Sequence, residues 1–229
     1  MPVGGMPPSR LGQGVDMALR FLTDGPEDAG VTILLAHGAG APMDSAAMNA
    51  SAAALAATGL RIARFEFAYM AARRTSGVRK PPPRAEALEG EYRGAIEALA
   101  AKGPVVIGGK SMGGRVASII ADDLHDKGRI AGLLCLGYPF HPIGKPEQLR
   151  TAHLADMRTP ALIVQGTRDL FGTREEVAAY ALSPCIEMLW LEDGDHDLKP
   201  RKAVSGFSAA DHLGTMAATV RAWVSRLAA

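Results

Sequence analysis

Residues 108–114 read GGKSMGG, and this stretch decides the fold class because two unrelated chemistries use similar letters. Gly-Lys-Ser ends a phosphate-binding P-loop, whereas Gly-Lys-Ser-Met-Gly also fits G-x-S-x-G, the pattern around a nucleophilic serine on a sharp turn. A P-loop here would need glycine at the position held by Pro104, and its loop would consist of VVIG, which is typical of a buried strand. The stretch therefore predicts a strand, a sharp turn bearing Ser111 and a helix starting at Met112.

The composition of the chain narrows the class of protein. Its 229 residues, 48% of them hydrophobic, suit one domain, which we place at residues 15–229 behind a flexible Gly- and Pro-rich leader at 1–14. A net charge of +1 favours neither nucleic acid nor a membrane surface as a partner. Two cysteines provide neither a disulfide framework nor a C-x-x-C metal pair, so no metal or cofactor is expected. Without a secretory signal or an apolar span, we expect a cytoplasmic protein.

Short apolar runs alternate with segments of helical periodicity along the chain. The predicted core strands are 31–37, 60–67, 104–109, 130–138, 160–166 and 186–191, and antiparallel edge strands are expected around 16–23. Helices are expected between them, including one over about 173–182 and a last one capped by Ser208. This alternation indicates a mostly parallel sheet with helices on both faces.

A serine hydroxyl needs a base within hydrogen-bond reach, and the base needs an acid to orient it. Asp169 follows the strand at 160–166, and His196 follows the last predicted strand. Both positions fall at the carboxyl edge of a parallel sheet, where open α/β sheets keep their sites. We therefore predict Ser111 as nucleophile, His196 as base and Asp169 as acid. The nearby Asp193, Asp195 and Asp197 are too close to His196 in sequence to reach round it easily.

An acyl-transfer site also needs two backbone N–H groups for the developing oxyanion. One is expected from Met112, the residue after the nucleophile. The other is expected from the small-residue loop AHGAGAPMDS at 36–45, with Ala39 as the chosen donor and Gly38 as the near alternative.

The segment AYMAARRTSGVRKPPPR at 68–84 is interpreted as a basic, Pro-rich loop on the carboxyl side of the sheet. Such charge runs are usually solvated surface. The alternative is a clamp for a substrate carboxylate or phosphate, with Arg73 and Arg79 as candidate substrate-binding residues.

Six stretches together resemble the α/β-hydrolase superfamily over about residues 30–228: LLAHGAGAPMDS, FEFAYM, GGKSMGGRVAS, GYPFHP, VQGTRDLFG and DGDHDLKP. They are most similar to the small, capless, dienelactone-hydrolase-related branch, which includes testis-expressed protein thirty and a scaffold subunit of the NSL chromatin complex. The resemblance implies an α/β-hydrolase fold with about eight strands, no cap domain, and Ser111, Asp169 and His196 as the triad. Dienelactone hydrolases carry a cysteine nucleophile where this chain has serine, which argues against a dienelactone substrate.

The expected activity is hydrolysis of a small or extended carboxylic ester through an acyl-enzyme. The connection at about 139–159 is too short for a lid domain, so an open site is expected. The alternative is a non-catalytic interaction module on the same fold, although a scaffold has no need of all three triad residues. The sequence leaves the acyl chain, formation of a homo-oligomer, and thioesterase, lactonase or peptidase activity open.

Overall fold

Seven strands form one sheet within residues 19–227, the range that this computed structural model describes. The strands are β1 Phe21–Asp24, β2 Thr32–Ala36, β3 Arg61–Phe65, β4 Val105–Lys110, β5 Gly132–Leu136, β6 Ala161–Gly166 and β7 Ile186–Leu191. Their spatial order is β1-β3-β2-β4-β5-β6-β7, with β1 antiparallel to β3 and every other pair parallel. The leader predicted at 1–14 lies outside the described range.

Helices follow most of the parallel strands. They are α1 Ala46–Ala56, α2 Ala68–Ser76, α3 Glu89–Ala98, α4 Met112–Asp126, α5 Ala152–Ala155, α6 Arg174–Val177, α7 Lys202–Ser205 and α8 Ala209–Leu227, with a short 3-10 turn at Ala85–Leu88 before α3. In the described part of the chain, no helix combines the length and apolar character that crossing a membrane would require.

The sheet is covered on both faces, and nearly every residue of its central strands is buried. On β2, Leu34 faces a core layer that includes residues of α3 and α4, while Leu35 faces a layer that includes residues of α1 and α8. All five β2 residues are buried, as expected for a parallel strand between two helical layers. Burial of large side chains such as Trp223 of α8 supplies the main driving force for this packing.

The order of the strands fixes where a site can form. The chain passes from β2 outward to β3 and then crosses back to β4 on the other side of β2. In open α/β sheets, the loops that diverge at such a reversal leave a crevice at the carboxyl ends of the strands. Here the crevice lies between the loop after β2 and the turn after β4, which carries Ser111.

The mostly parallel sheet, an antiparallel strand at one edge, a helix starting at Met112 and the Ser208 cap are confirmed, although the described residues form seven strands where about eight were expected. Two predictions at the level of elements were wrong. The basic segment is not a loop throughout, because residues 68–76 form α2. The helix predicted over 173–182 ends at Val177, because the next backbone bonds span three residues and tighten the chain into turns.

Candidate active site

Ser111 stands on a strained turn between β4 and α4. Its backbone has φ of 52° and ψ of −116°, a conformation that residues with a Cβ rarely adopt. The neighbouring glycines make the turn possible: a Cβ on Gly109 or on Gly113 would lie 2.4 Å from the carbonyl oxygen of Ala36. Side chains two residues to either side of the serine would therefore collide with the backbone at the end of β2.

Asp169 and His196 meet at the carboxyl ends of β6 and β7. His196 Nδ1 lies 2.7 Å from Asp169 Oδ2, and the aspartate side chain is fully buried. A carboxylate can only accept, so Nδ1 carries the proton and Nε2 is left facing outward as the acceptor. This is the tautomer that a general base requires.

Gln165 holds the aspartate in place and was missed in the sequence. Its Nε2 donates to Asp169 Oδ2 over 3.0 Å and also approaches the carbonyls of Tyr138 and Gly172, while its Oε1 accepts from the Tyr138 N–H. The other oxygen of Asp169 accepts from the Phe171 N–H at 2.9 Å. The buried carboxylate therefore has three donors, which fix its direction. A polar side chain at the end of an apolar strand was the only signal for this role.

The competing carboxylates have other partners. Asp193 is bound by Arg201, which holds the pKa of Asp193 at about 2, well below its usual value. Asp195 Oδ1 accepts backbone N–H groups within its own turn, and Asp197 lies 3.5 Å from Lys110. Among the described residues, only Asp169 is hydrogen-bonded to the His196 ring.

Phe171 connects the two halves of the site. Its ring packs against the His196 ring with centroids 4.3 Å apart, and it also lines a cavity of about 550 Å³ together with Ser111 and Met112. Within residues 19–227, no hydrogen bond joins Ser111 to His196. In unliganded sites this bond is often long and tightens when substrate is bound.

The loop after β2 is oriented by His37, to which the sequence had given no role. His37 Nε2 accepts from the Phe67 N–H at 3.2 Å, so Nδ1 must carry the proton, and it donates to the Gly38 carbonyl at 2.7 Å. Burial lowers the pKa of His37 and favours this neutral form. A trans peptide points its N–H opposite to its C=O, so fixing the Gly38 carbonyl also fixes the N–H of Ala39.

Both predicted oxyanion donors lie at this cavity. Ala39 and Met112 line it, and the Tyr69 hydroxyl donates to the Ala39 carbonyl at 3.0 Å, which secures the loop from its other side. Met112 is the first residue of α4, so its N–H has no acceptor within the helix. The near alternative, Gly38, is buried behind Ala39 and contributes its carbonyl to His37 instead.

Lys110 is buried beside the base. Its Nζ donates to the His196 carbonyl oxygen over 2.6 Å, and burial lowers the pKa of this lysine. The approach is close because Gly137, at φ of 66°, lies between the two: a Cβ there would be 2.7 Å from the same carbonyl oxygen. Lys110, the residue that made the motif resemble a P-loop, thus contacts the loop that carries His196.

Of the basic side chains in the segment at 68–84, only Arg84 lines the cavity, and the two predicted substrate-binding residues, Arg73 and Arg79, do not. Arg73 donates to the Gly40 carbonyl at 3.3 Å, and neither it nor the exposed Arg79 lines the cavity. Three other arginines do line it: Arg84, Arg115 and Arg150. The prediction missed the last two because α4 and the connection after β5 bring them in from distant parts of the sequence.

Comparison with known proteins defines the class. A family model described as an alpha/beta hydrolase domain matches residues 29–225, and the chain belongs to that family. It falls in the capless branch, since a short connection at 139–159 stands where a lid would be inserted. The protein is thus an α/β-fold hydrolase.

Solved structures share the fold at low identity. A serine hydrolase without lid from Xanthomonas campestris has 18% identity and a TM-score of 0.64, over 91% of this chain and 88% of that one. Dienelactone hydrolase from Anabaena variabilis has 19% identity and a TM-score of 0.66, over 91% of each chain. The esterase domain of a Rhodothermus marinus protein has 17% identity and a TM-score of 0.62, over 93% of this chain and all of that one.

Proposed function

We propose that this hydrolase is a serine esterase that cleaves carboxylic esters through Ser111, His196 and Asp169. The 2.7 Å contact between His196 Nδ1 and Asp169 Oδ2 carries the proposal, because it leaves Nε2 free to accept a proton. The bond from Lys110 to the His196 carbonyl joins this loop to the residue before Ser111. The strained backbone of Ser111 supports it, since such conformations persist where function requires them. The esterase and serine hydrolase among the structural neighbours are consistent with it.

Acylation begins when Ser111 Oγ attacks the ester carbonyl carbon while His196 Nε2 takes the hydroxyl proton. The carbonyl oxygen becomes an oxyanion that accepts from the N–H groups of Ala39 and Met112. Asp169 stays ionised and stabilises the imidazolium. The C–O bond to the alcohol then breaks, and His196 donates its proton to the departing alkoxide.

Deacylation repeats the sequence with water as the nucleophile. His196 takes a proton from water, the resulting hydroxide attacks the acyl carbon, and the same two N–H groups bind the second oxyanion. The bond to Ser111 Oγ breaks as the serine recovers its proton from His196, and the carboxylic acid leaves.

A fluorophosphonate probe tests the nucleophile directly. Labelling mapped to Ser111 by mass spectrometry, absent in Ser111→Ala and retained in Ser118→Ala, is the expected result. Ser118 is a matched control because it lies on α4 but contacts His153 at 2.8 Å, away from the triad. The same preparations should hydrolyse short-chain aryl esters except for Ser111→Ala. No labelling and no turnover in the wild type would favour the non-catalytic interaction module instead.

A further inference from the structure

The cavity beside Ser111 carries more positive charge than ester hydrolysis needs. It encloses about 550 Å³, a size typical of small-molecule sites, and Arg84, Arg115 and Arg150 reach its wall. The single carboxylate among its lining residues is Glu86. Glu86 lies 2.5 Å from Arg115, so two of the three guanidinium charges have no counter-charge within the lining.

Arg115 and Arg150 have unused hydrogen-bond donors. Arg115 Nε is buried and has no acceptor, although its side chain pairs with Glu86 through Nη2. Within residues 19–227, the half-buried side chain of Arg150 makes no hydrogen bond or ion pair. Buried polar groups are nearly always satisfied in proteins, so the half-buried guanidinium of Arg150, which lines the cavity, points to a ligand that carries acceptors.

The two guanidinium groups also repel one another. Burial lowers the pKa of Arg150, and the nearby charge of Arg115 lowers it further. A bound anion would relieve both effects by neutralising Arg150 and supplying oxygens to its N–H groups.

The surfaces on the two sides of Phe171 differ in charge and polarity. This difference indicates which part of a substrate lies on each side. The arginine-lined cavity contains Ser111 and the oxyanion donor Met112 but not His196. His196 instead lines a second depression of about 220 Å³ on the other side of Phe171. There Ile143 and Leu170 expose apolar side chains, 55% and 63% accessible.

The proton donor to the leaving group is His196, so the alcohol belongs on the His196 side and the acyl chain on the arginine side. The charged residues of the second depression are largely paired already, with Arg168 3.6 Å from Asp195 and Asp197 3.5 Å from Lys110. That depression therefore suits an uncharged alcohol.

We propose that the substrate is an ester whose acyl chain ends in a carboxylate, bound by Arg150 with Arg84 and Arg115 beside it, and whose alcohol is uncharged. This inference rests on the proposed esterase function and adds the substrate class to it. The planar guanidinium fork matches a carboxylate in two parallel hydrogen bonds, which would also orient the acyl carbon toward Ser111.

Matched esters test the charge requirement. The para-nitrophenyl hemiesters of succinate, glutarate and adipate are compared with the same compounds capped as methyl esters, with spontaneous hydrolysis subtracted. The hemiester of the best-fitting length should exceed its capped partner in kcat/KM by about 10- to 100-fold, the range for hydrogen bonds to a charged group. The ratio should fall to near one in Arg150→Met and should persist in Arg221→Met, which alters an exposed arginine on α8.

Three further readouts separate the outcomes. Equal rates for the free and capped esters in the wild type would overturn the proposal, as would loss of the ratio in Arg79→Ala but not in Arg150→Met. Competitive inhibition by inorganic phosphate but not by glutarate would overturn the carboxylate assignment. Calorimetric binding of the hemiester to Ser111→Ala, compared with Ser111→Ala/Arg150→Met, needs no turnover. It therefore tests this inference even where probe labelling has rejected the esterase function.

Discussion

Lys110 Nζ and the carbonyl oxygen of His196 are 2.6 Å apart, which ties the residue before Ser111 to the backbone of His196. The lysine side chain is only 11% exposed. Because the bond joins the turn after β4 to the loop after β7, it holds His196 in position relative to Ser111.

Lys110→Met should therefore lower kcat by about tenfold with little change in KM, because one charge-assisted hydrogen bond that positions the base is lost. The rate of fluorophosphonate labelling at Ser111 should fall in parallel, while thermal unfolding stays close to that of the wild type. Lys102→Met, which alters an exposed lysine, is the control. Wild-type kcat and labelling in Lys110→Met would show that the bond does not position His196.

The same substitution should change how stability depends on pH. Burial holds the folded-state pKa of Lys110 below its value in the unfolded chain, so between the two values the unfolded state binds more protons. The free energy of unfolding contributed by this group therefore rises with pH in that interval, up to the ordinary lysine pKa of about 10.4.

Lys110→Met removes that contribution. Urea unfolding across the alkaline range should show wild-type stability gaining on the variant as the pH rises. Other groups cancel in the difference between the two proteins. A difference that stays constant with pH would contradict the shifted pKa, and Lys102→Met should give such a constant difference.

Gly137→Ala should lower both the free energy of unfolding and the esterase activity, whereas a matched glycine variant should lower only the free energy of unfolding. Its φ of 66° strains any Cβ, and the new methyl group would lie 2.7 Å from the His196 carbonyl oxygen. Gly144→Ala is a matched control, since Gly144 has φ of 72° but nothing within 4 Å of the Cβ position. Both variants should lose about 1 kcal/mol in urea unfolding, the usual cost of a left-handed residue with a side chain.

Only Gly137→Ala should also lose esterase activity, by at least about tenfold if His196 is displaced enough to weaken one hydrogen bond. Equal activity losses in the two variants would mean that backbone strain, rather than contact with His196, explains the effect.

Gln165→Leu should impair both folding and catalysis. The substitution removes a donor from Asp169 Oδ2 and leaves the Tyr138 N–H without its acceptor, in a fully buried environment. Unsatisfied buried groups of this kind cost about 1–3 kcal/mol each in the free energy of unfolding.

Ser183→Ala provides the comparison for Gln165→Leu. It removes a buried hydrogen bond to the Met157 carbonyl and should lower stability without lowering kcat. Met157 and Ser183 precede β6 and β7, whereas Asp169 and His196 follow those strands. If Gln165→Leu reduced stability but kept wild-type kcat, then Gln165 would be a structural residue that does not position Asp169.

Local pattern was enough to predict much of this protein. Neighbours in sequence determine the apolar strands, the Ser111 turn and the start of α4. This is because β-branched runs and glycines specify strand and turn locally. Asp169 and His196 could be predicted because parallel strands end at the same edge of the sheet, so the residues that follow them must be near one another. Helix α2 and the early end of α6 were mispredicted because local charge and periodicity do not reveal which turns the neighbouring backbone stabilises.

The sequence by itself determined the hydrolase fold and the identity of the three residues proposed as the triad, because each sits at a position that strand periodicity and a short motif define. Only the tertiary structure decided which groups surround them. The hydrogen bonds of Lys110 to the His196 carbonyl and of Tyr138 to Gln165, and the cavity that Arg115 shares with Arg150, bring together segments far apart in sequence. Such pairings carry no local signature, since they arise from how helices and loops pack over the end of the sheet.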